Sequence, residues 1–211
     1  MKKWFGYGGI AASAILIAFG VVAIVMCVNG RNEVRDLLAA EKIVGGDDMS
    51  PALIQKGIAE AGLTVPVTIP EKDIVGAKID TGAEARAFAQ YMRIHALEAS
   101  GGLTYAEMGR FATADGKPAG TNDPAKALKG EDGQPVSNGA RNLWVTATAL
   151  TTALNTSFMA EQLALFGIVV GVALLLSGIG FLVLTVSGAL GVSVVPRRRA
   201  AAKFDTASAA T

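Results

Sequence analysis

The chain has 211 residues, of which 51% are hydrophobic and 18% are charged, and its formal net charge is +1. This balance offers no clustered basic surface of the kind that nucleic-acid-binding proteins present, so nucleic acid is not a predicted partner. A single cysteine, Cys27, excludes a disulfide within the chain.

The apolar residues are concentrated in two runs that carry no charge, residues 4–30 and residues 162–196. The hydrocarbon core of a bilayer is about 30 Å thick and needs roughly 20 apolar residues in a helix. We therefore predict transmembrane helices over 4–28 and 161–195, with the lipid bilayer as their partner. The first run exceeds the core of about 7–15 residues of a signal peptide and lacks an Ala-x-Ala site, so we expect a retained anchor.

Basic residues at the two ends of the chain predict how the helices are oriented. Lysines and arginines concentrate on the cytoplasmic side of a membrane. The first helix is ambiguous by itself, because Arg31 and Arg35 follow it. The second is followed by an arginine cluster, which predicts a two-pass plasma-membrane protein with cytoplasmic tails (1–3 and 196–211) and an extracytoplasmic domain (29–160). The residues that support this topology are Lys2, Lys3, Arg197, Arg198 and Arg199.

The segment 29–160 is long enough for one modest domain and carries 13 lysines and arginines against 16 aspartates and glutamates, a net charge of −3. Its first part, 32–43, has apolar residues at helical spacing and predicts a continuation of the first transmembrane helix as a stalk, with Leu37 and Leu38 on its apolar side. Ser50 followed by Pro51 predicts a helix start, with an end near Ala61.

Two capping-box patterns follow further along the chain. Thr81 with Glu84 predicts the start of the main helix of the domain, residues 82–99, and Thr104 with Glu107 predicts a short helix to about residue 109. Between the first two helices of the domain, residues 64–70 alternate in polarity and contain two prolines, which indicates an extended or edge segment.

Residues 112–139 are rich in glycine, proline, asparagine and aspartate, so they predict a long surface loop. From residue 141 a helical pattern continues into the second apolar run, and its apolar positions are Leu143, Ala147, Leu150, Leu154 and Phe158. The predicted fold class is mainly α: an N- and C-terminal hairpin of transmembrane helices carrying a small helical extracytoplasmic domain with long stalk helices.

Small residues form a stripe in each apolar run. Small side chains let transmembrane helices approach closely and gain van der Waals contact. The stripes therefore predict helix packing, either between the two helices of one chain or between copies. The residues concerned are Gly9, Ser13 and Gly20 in the first run and Gly167, Gly171 and Gly178 in the second.

Four polar residues are candidates for a functional role. His95 shares a side of the 82–99 helix with Tyr91 and Glu98. Proton or quinone chemistry is one interpretation of this group. The simpler one is a surface or interface histidine whose hydrogen bonds are satisfied. Glu161 is the one charge between Arg141 and Arg197, and its position favours the headgroup boundary over an intramembrane role. With a single histidine in the chain, we predict no metal site, no cofactor and no catalytic residue.

The segments 93–107 (RIHALEASGGLTYAE) and 146–158 (TATALTTALNTSF) resemble actinobacterial two-pass membrane proteins of uncharacterised function. The resemblance covers most of the chain and implies the same order of anchor, central helix and helix entering the membrane. Some relatives carry the name of an aromatic ring-opening dioxygenase. Such enzymes need an iron site, and this chain cannot build one from several histidines, so the resemblance implies the architecture and no activity.

The expected function is that of a non-catalytic membrane-anchored scaffold or an accessory subunit of a cell-envelope membrane complex. Its expected partners are further copies in a homo-oligomer or other membrane subunits. Two alternatives stay open on the sequence alone. The first is an extracytoplasmic binding or sensing module that uses the 112–139 loop, and the second is an oligomeric pore or transport component lined by Glu161 and a threonine-rich helix face.

Overall fold

The computed structural model describes residues 2–187 and is mainly helical, as predicted. Its α-helices are α1 (Lys2–Ala40), α2 (Pro51–Glu60), α3 (Gly82–Ala99) and α4 (Gly139–Ser187), with one short 3₁₀ helix at Tyr105–Glu107. Within residues 2–187 the β-type pairings are isolated bridges, and no strand is formed.

Helices α1 and α4 are both long and apolar enough to cross a bilayer. Windows within Tyr7–Ala40 and Gly139–Ser187 reach mean hydropathies of 2.7 and 2.6. Helix α1 continues without interruption past the apolar run to Ala40, which confirms the predicted helical extension. The chain divides into two compact parts, which we call the apolar unit (residues up to Val25 and from Gly167) and the central domain (Met26–Phe166).

In the apolar unit the small residues of the two helices contact each other. A Cβ atom added to Gly20 would lie 2.7 Å from the carbonyl oxygen of Gly171, and one added to Gly178 would lie 2.9 Å from the backbone nitrogen of Ile17. Gly9 likewise meets Thr185. Because low residue numbers in α1 pair with high ones in α4, the two helices run antiparallel within this unit.

The central domain is organised around α3. Ala85, Tyr91 and Ile94 are almost completely buried on this helix, and the core continues to Leu38 of α1 and Ile54 of α2. Burial of such side chains contributes about 1.5–3 kcal/mol each relative to exposure. The core therefore gathers α1, α2 and α3, with Leu154 of α4 in the same cluster.

The local start signals predicted for α2 and α3 are confirmed. The Ser50 hydroxyl accepts a hydrogen bond from the Leu53 backbone at 3.3 Å, and Pro51 occupies the first turn of α2. At the start of α3 the Glu84 carboxylate accepts from the Thr81 backbone at 3.1 Å, while Thr81 accepts in return from Glu84. These side chains satisfy backbone donors that the first helical turn leaves free.

The turn-rich segment forms a loop that is hydrogen-bonded at its base by Asn138. The side-chain nitrogen of this buried residue donates to the carbonyls of Gly109 (3.0 Å) and Pro118 (2.8 Å), and its side-chain oxygen accepts from the Ala140 backbone (3.1 Å). Backbone bonds between Ala112 and Val136 close the loop further. The loop is exposed, as predicted, and it is also internally braced.

Three sequence predictions need correction. On α4 the first predicted position, Leu143, is 46% exposed and its neighbour Trp144 is buried at 5%, whereas the predicted positions Ala147 and Leu154 are buried. On α1 Leu38 is buried while Leu37 is 63% exposed, because neighbouring residues of a helix lie roughly 100° apart around its axis and cannot both face the core. The helix predicted from Thr104 to about residue 109 is a single 3₁₀ turn that ends at Glu107.

Candidate functional site

The most densely bonded polar group of the central domain is the carboxylate of Glu161 on α4, which is 4% exposed. Its Oε1 accepts from Arg31 Nε at 2.8 Å and from Arg35 Nη2 at 2.6 Å, and both arginines belong to α1. Its Oε2 accepts from the backbone nitrogen of Gly82 at 2.6 Å. One carboxylate therefore joins α1, α3 and α4, and we call this group the Glu161 junction.

Gly82 is the residue that lets α3 approach Glu161 so closely. A Cβ atom at this position would lie 2.8 Å from Oε2 of Glu161 and 2.9 Å from the Cα of Phe158. The first turn of a helix carries unpaired N–H groups and the positive end of the helix dipole, so it favours a carboxylate. The junction therefore neutralises Glu161 with two guanidinium groups and a helix N-terminus together.

The adjacent capping residue Glu84 extends this polar region towards Lys72, whose ammonium lies 2.9 Å from its Oε1. Partial burial opposes ionisation of Glu84, but hydrogen bonds from Lys72 and Thr81 outweigh it and lower the pKa of this carboxyl. Glu84 is consequently held in its charged form, which is the form that caps α3.

The position of Glu161 at the headgroup boundary stays a prediction, and the structure shows what its side chain contacts. Its carboxylate is turned into the central domain and is engaged by side chains of α1. The exposed threonines of α4, among them Thr148, Thr152 and Thr156, lie on other faces of the helix. Glu161 and these threonines therefore do not line one common path in the chain. The partners of Glu161 lie 126 and 130 residues away in sequence, so no local pattern predicts them.

The structure pairs His95 with Glu98, while the hydroxyl of Tyr91 bonds to a different residue. His95 Nδ1 lies 2.9 Å from Glu98, and its Nε2 lies 3.5 Å from Asp48 in the segment before α2. Tyr91 is fully buried and donates its hydroxyl to the Lys72 carbonyl at 3.0 Å, and burial, with a contribution from the charge of Asp73, raises its pKa. Among the described residues, no group of three or more histidine, cysteine, aspartate or glutamate side chains is arranged to hold a metal ion.

The residues predicted to pack helices lie at the α1–α4 contact of the apolar unit. Gly9, Gly20, Gly171 and Gly178 each face the opposite helix at distances that leave no room for a Cβ. Ser13 is fully buried, and its hydroxyl donates to the Gly9 carbonyl at 2.7 Å. For the sixth predicted residue, Gly167, the structure shows half-burial on α4, and we assign it no contact with α1. The glycine face of α4 is thus occupied by α1 of the same chain.

A cleft of about 630 Å³ opens on the central domain, and sequence reasoning missed it. It is bordered by residues 65–68, by α3 and by α4, and its polar side chains include Gln90, Arg93 and Asn155. The guanidinium of Arg93 lies 3.9 Å from the ring centre of Trp144. Because these elements are far apart in sequence, only the folded chain brings them together.

The topology residues divide between the described and undescribed parts of the chain. Lys2 and Lys3 lie in the first turn of α1. Arg197, Arg198 and Arg199 lie outside the described residues, as does the predicted tail of residues 196–211.

Comparison of the chain with protein-family models, curated proteins and solved structures finds no match.

Proposed function

We propose that this chain is a two-pass plasma-membrane protein in which α1 and α4 cross the bilayer as a hairpin, with the central domain outside the cytoplasm. The observation that carries the proposal is the outer surface of the apolar unit. Large side chains are exposed there on both helices, among them Phe19 (66%), Val169 (67%) and Leu176 (63%). A continuous apolar surface of this kind needs lipid or another apolar surface around it.

Within this location the role is that of a non-catalytic scaffold or accessory subunit of a cell-envelope membrane complex. The glycine faces are engaged within the chain, so assembly with other subunits uses the outer faces of the two helices and the surface of the central domain. The order of elements along the chain is also that implied by the resemblance to actinobacterial two-pass membrane proteins.

Cysteine labelling in intact cells tests the topology. Cys27 is the only native cysteine, so a Cys27→Ser background carries no thiol. A cysteine at the exposed residue Glu131 should react with a membrane-impermeant maleimide, and one at Thr211 should react only after the cells are permeabilised. Labelling of the Thr211 position in intact cells, or cleavage of the chain after α1, would overturn the topology.

Native mass spectrometry after gentle detergent extraction tests the role. A defined homo-oligomer or a stoichiometric set of other membrane subunits supports the scaffold or accessory role. A monomer that remains free of protein partners when it is extracted from its native membrane contradicts it.

A second candidate function is an extracytoplasmic binding module, and the cleft bordered by residues 65–68 favours it. The sequence pointed to the 112–139 loop as the contact surface, but this cleft lies outside that loop. Its volume falls within the range of about 300–1,000 Å³ that is typical of ligand sites.

A further inference from the structure

The cleft contains a guanidinium that is held in place without a counter-ion. Arg93 stacks on Trp144 at 3.9 Å, and within residues 7–187 no carboxylate lies within ion-pair distance of it. Stacking fixes the plane of the guanidinium and leaves its N–H groups at the edge available for a planar anion. Glu107 is the one acid that lines the cleft. Its carboxylate accepts hydrogen bonds from the backbone nitrogen of Thr104 at 2.7 Å and from the Thr104 hydroxyl at 2.8 Å.

The opposite wall of the cleft is a stretch of backbone without hydrogen-bond partners. Burial alternates from Leu63 to Ile69, which is the pattern of an extended chain whose side chains point to opposite faces. No backbone hydrogen bond within the described residues involves 64–69. Four consecutive residues, 65–68, line the cleft, so the backbone edge itself borders it, since alternate side chains cannot all point the same way.

This edge is suited to pairing with another extended chain. In an extended segment the N–H and C=O groups of alternate residues point to the same edge. Pro66 and Pro70 therefore leave one edge with the N–H groups of Thr64 and Thr68 alone, and the N–H groups of Val65, Val67 and Ile69 serve the other. An extended peptide that adds to such an edge gains affinity from main-chain hydrogen bonds.

We propose that the cleft between residues 65–68 and α3 binds an extended peptide with a free C-terminal carboxylate, which Arg93 receives while the 64–69 backbone pairs with the peptide main chain. Gln90 and Asn155 line the same cleft and offer amide groups to the peptide. All the lining residues belong to the central domain, so the inference does not depend on the membrane topology or on the scaffold role.

The test uses the full-length chain in lipid nanodiscs with a Trp4→Phe substitution, which leaves Trp144 as the only indole. The probe is the peptide acetyl-Ala-Val-Thr-Val-Ala, as the free acid and as the C-terminal amide. Its binding is followed by the fluorescence of Trp144. The free acid should bind saturably, and the amide should bind at least about tenfold more weakly, because charge-assisted hydrogen bonds to a carboxylate are lost.

Two variants on the same helix separate the role of Arg93 from a general charge effect. Arg93→Gln should lower the affinity for the acid to that for the amide, and unchanged amide binding shows that the cleft is intact. Arg86→Gln is the matched control, because Arg86 also stacks on an aromatic ring, that of Phe158 at 4.7 Å, but does not line this cleft. It should leave the preference for the acid unchanged.

Two further probes test the peptide and its main chain. Sodium acetate should compete far more weakly than the peptide acid, and equal competition would indicate a simple anion site and overturn the proposal. Peptides N-methylated at alternate residues should differ, since methylation of only one alternate set removes donors that face the 64–69 edge. Equal binding of acid and amide, equal effects of both methylation sets, or no saturable binding up to about 1 mM would likewise overturn it.

Discussion

Helices α1 and α4 are held together by different chemistry in the apolar unit and in the central domain. In the apolar unit the contact consists of small residues at backbone distance, as at Gly20 and Gly171. In the central domain it consists of charged groups, with Arg31 and Arg35 on the carboxylate of Glu161. Where lipid surrounds the helices, only close packing distinguishes a helix neighbour from an acyl chain. Where water competes, a buried ion pair adds orientation but must offset desolvation.

Both contacts follow one stripe along α1. Its residues at alternating spacings of four and three are all at least half-buried: Ser13, Ile17, Gly20, Ile24, Cys27, Arg31, Val34 and Leu38. This is the period of a helix pair that packs along a seam. One helical repeat therefore carries two kinds of contact, because the side chains along it change from small to charged.

The largest expected effect is that of Glu161→Gln. It leaves two guanidinium groups and the Gly82 N–H with a weaker acceptor, and we expect the central domain to lose about 2–4 kcal/mol of stability. Hydrogen exchange should accelerate at the first turn of α3, and denaturant unfolding should measure the loss. Glu33→Gln on the exposed side of α1 is the control. Equal stability of the two variants would show that the junction does not fasten the helices.

The second largest expected effect is that of Gly20→Ala, which should disrupt the contact between α1 and α4 in the apolar unit. The added methyl group would meet backbone atoms of Gly171 and Leu175 at 2.7 Å, which neither helix can avoid without moving. We expect a loss of about 1–3 kcal/mol in unfolding by SDS titration. Gly180→Ala is the matched control, because no atom lies within 4 Å of its added Cβ and it should be neutral or slightly stabilising.

Gly82→Ala tests the junction from the side of α3 without changing any charge. Its Cβ would collide with Glu161 and with the Phe158 backbone, so α3 must shift and the Gly82–Glu161 hydrogen bond must lengthen. We expect a loss of about 1–2 kcal/mol. The double variant with Glu161→Gln should lose less than the sum of the two single effects, because both act on one contact. Strict additivity would contradict the coupling.

The capping box of α3 should give a smaller, pH-dependent effect. The pKa of Glu84 is lowered in the folded chain, so its contribution is complete above the ordinary carboxyl value and is lost as the pH falls through the folded value. We expect about 1 kcal/mol of stability to disappear on acidification below about pH 4.5. Glu84→Gln should reduce this acid sensitivity when unfolding is measured between neutral and acidic pH. An unchanged acid profile would contradict it.

The smallest expected effect is that of His95→Gln. His95 is partly exposed and bridges Glu98 and Asp48, so its loss removes two surface contacts. We expect a change of less than about 1 kcal/mol in denaturant unfolding. Asp48→Asn should be similarly mild. A loss as large as that of Glu161→Gln would show that this group has a greater role in the fold.

Much of the fold could be predicted because its signals are local. Ser50 with Pro51, and Thr81 with Glu84, lie within one helical turn of the starts they define, and the structure has those starts. The position of Trp144 was missed because Leu143 and Trp144 are both apolar neighbours at the start of α4, and helical spacing from Ala147 allows either a three- or a four-residue step. The Glu161 junction and the cleft were missed because their members are joined only by tertiary packing.

The clamp of Asn138 on the base of the exposed loop has a practical consequence. Its side chain donates to the carbonyls of Gly109 and Pro118 at the base of the loop, so the outermost turns are not needed to hold the base to the core. At Gly116 and Gly133 the backbone adopts positive φ angles, and the space around both residues is open. Exposed turn tips of this kind accept inserted sequence. An epitope or a small reporter domain placed after Gly133 would therefore leave the helices below it to fold as before, and under the proposed topology it would label the protein on intact cells.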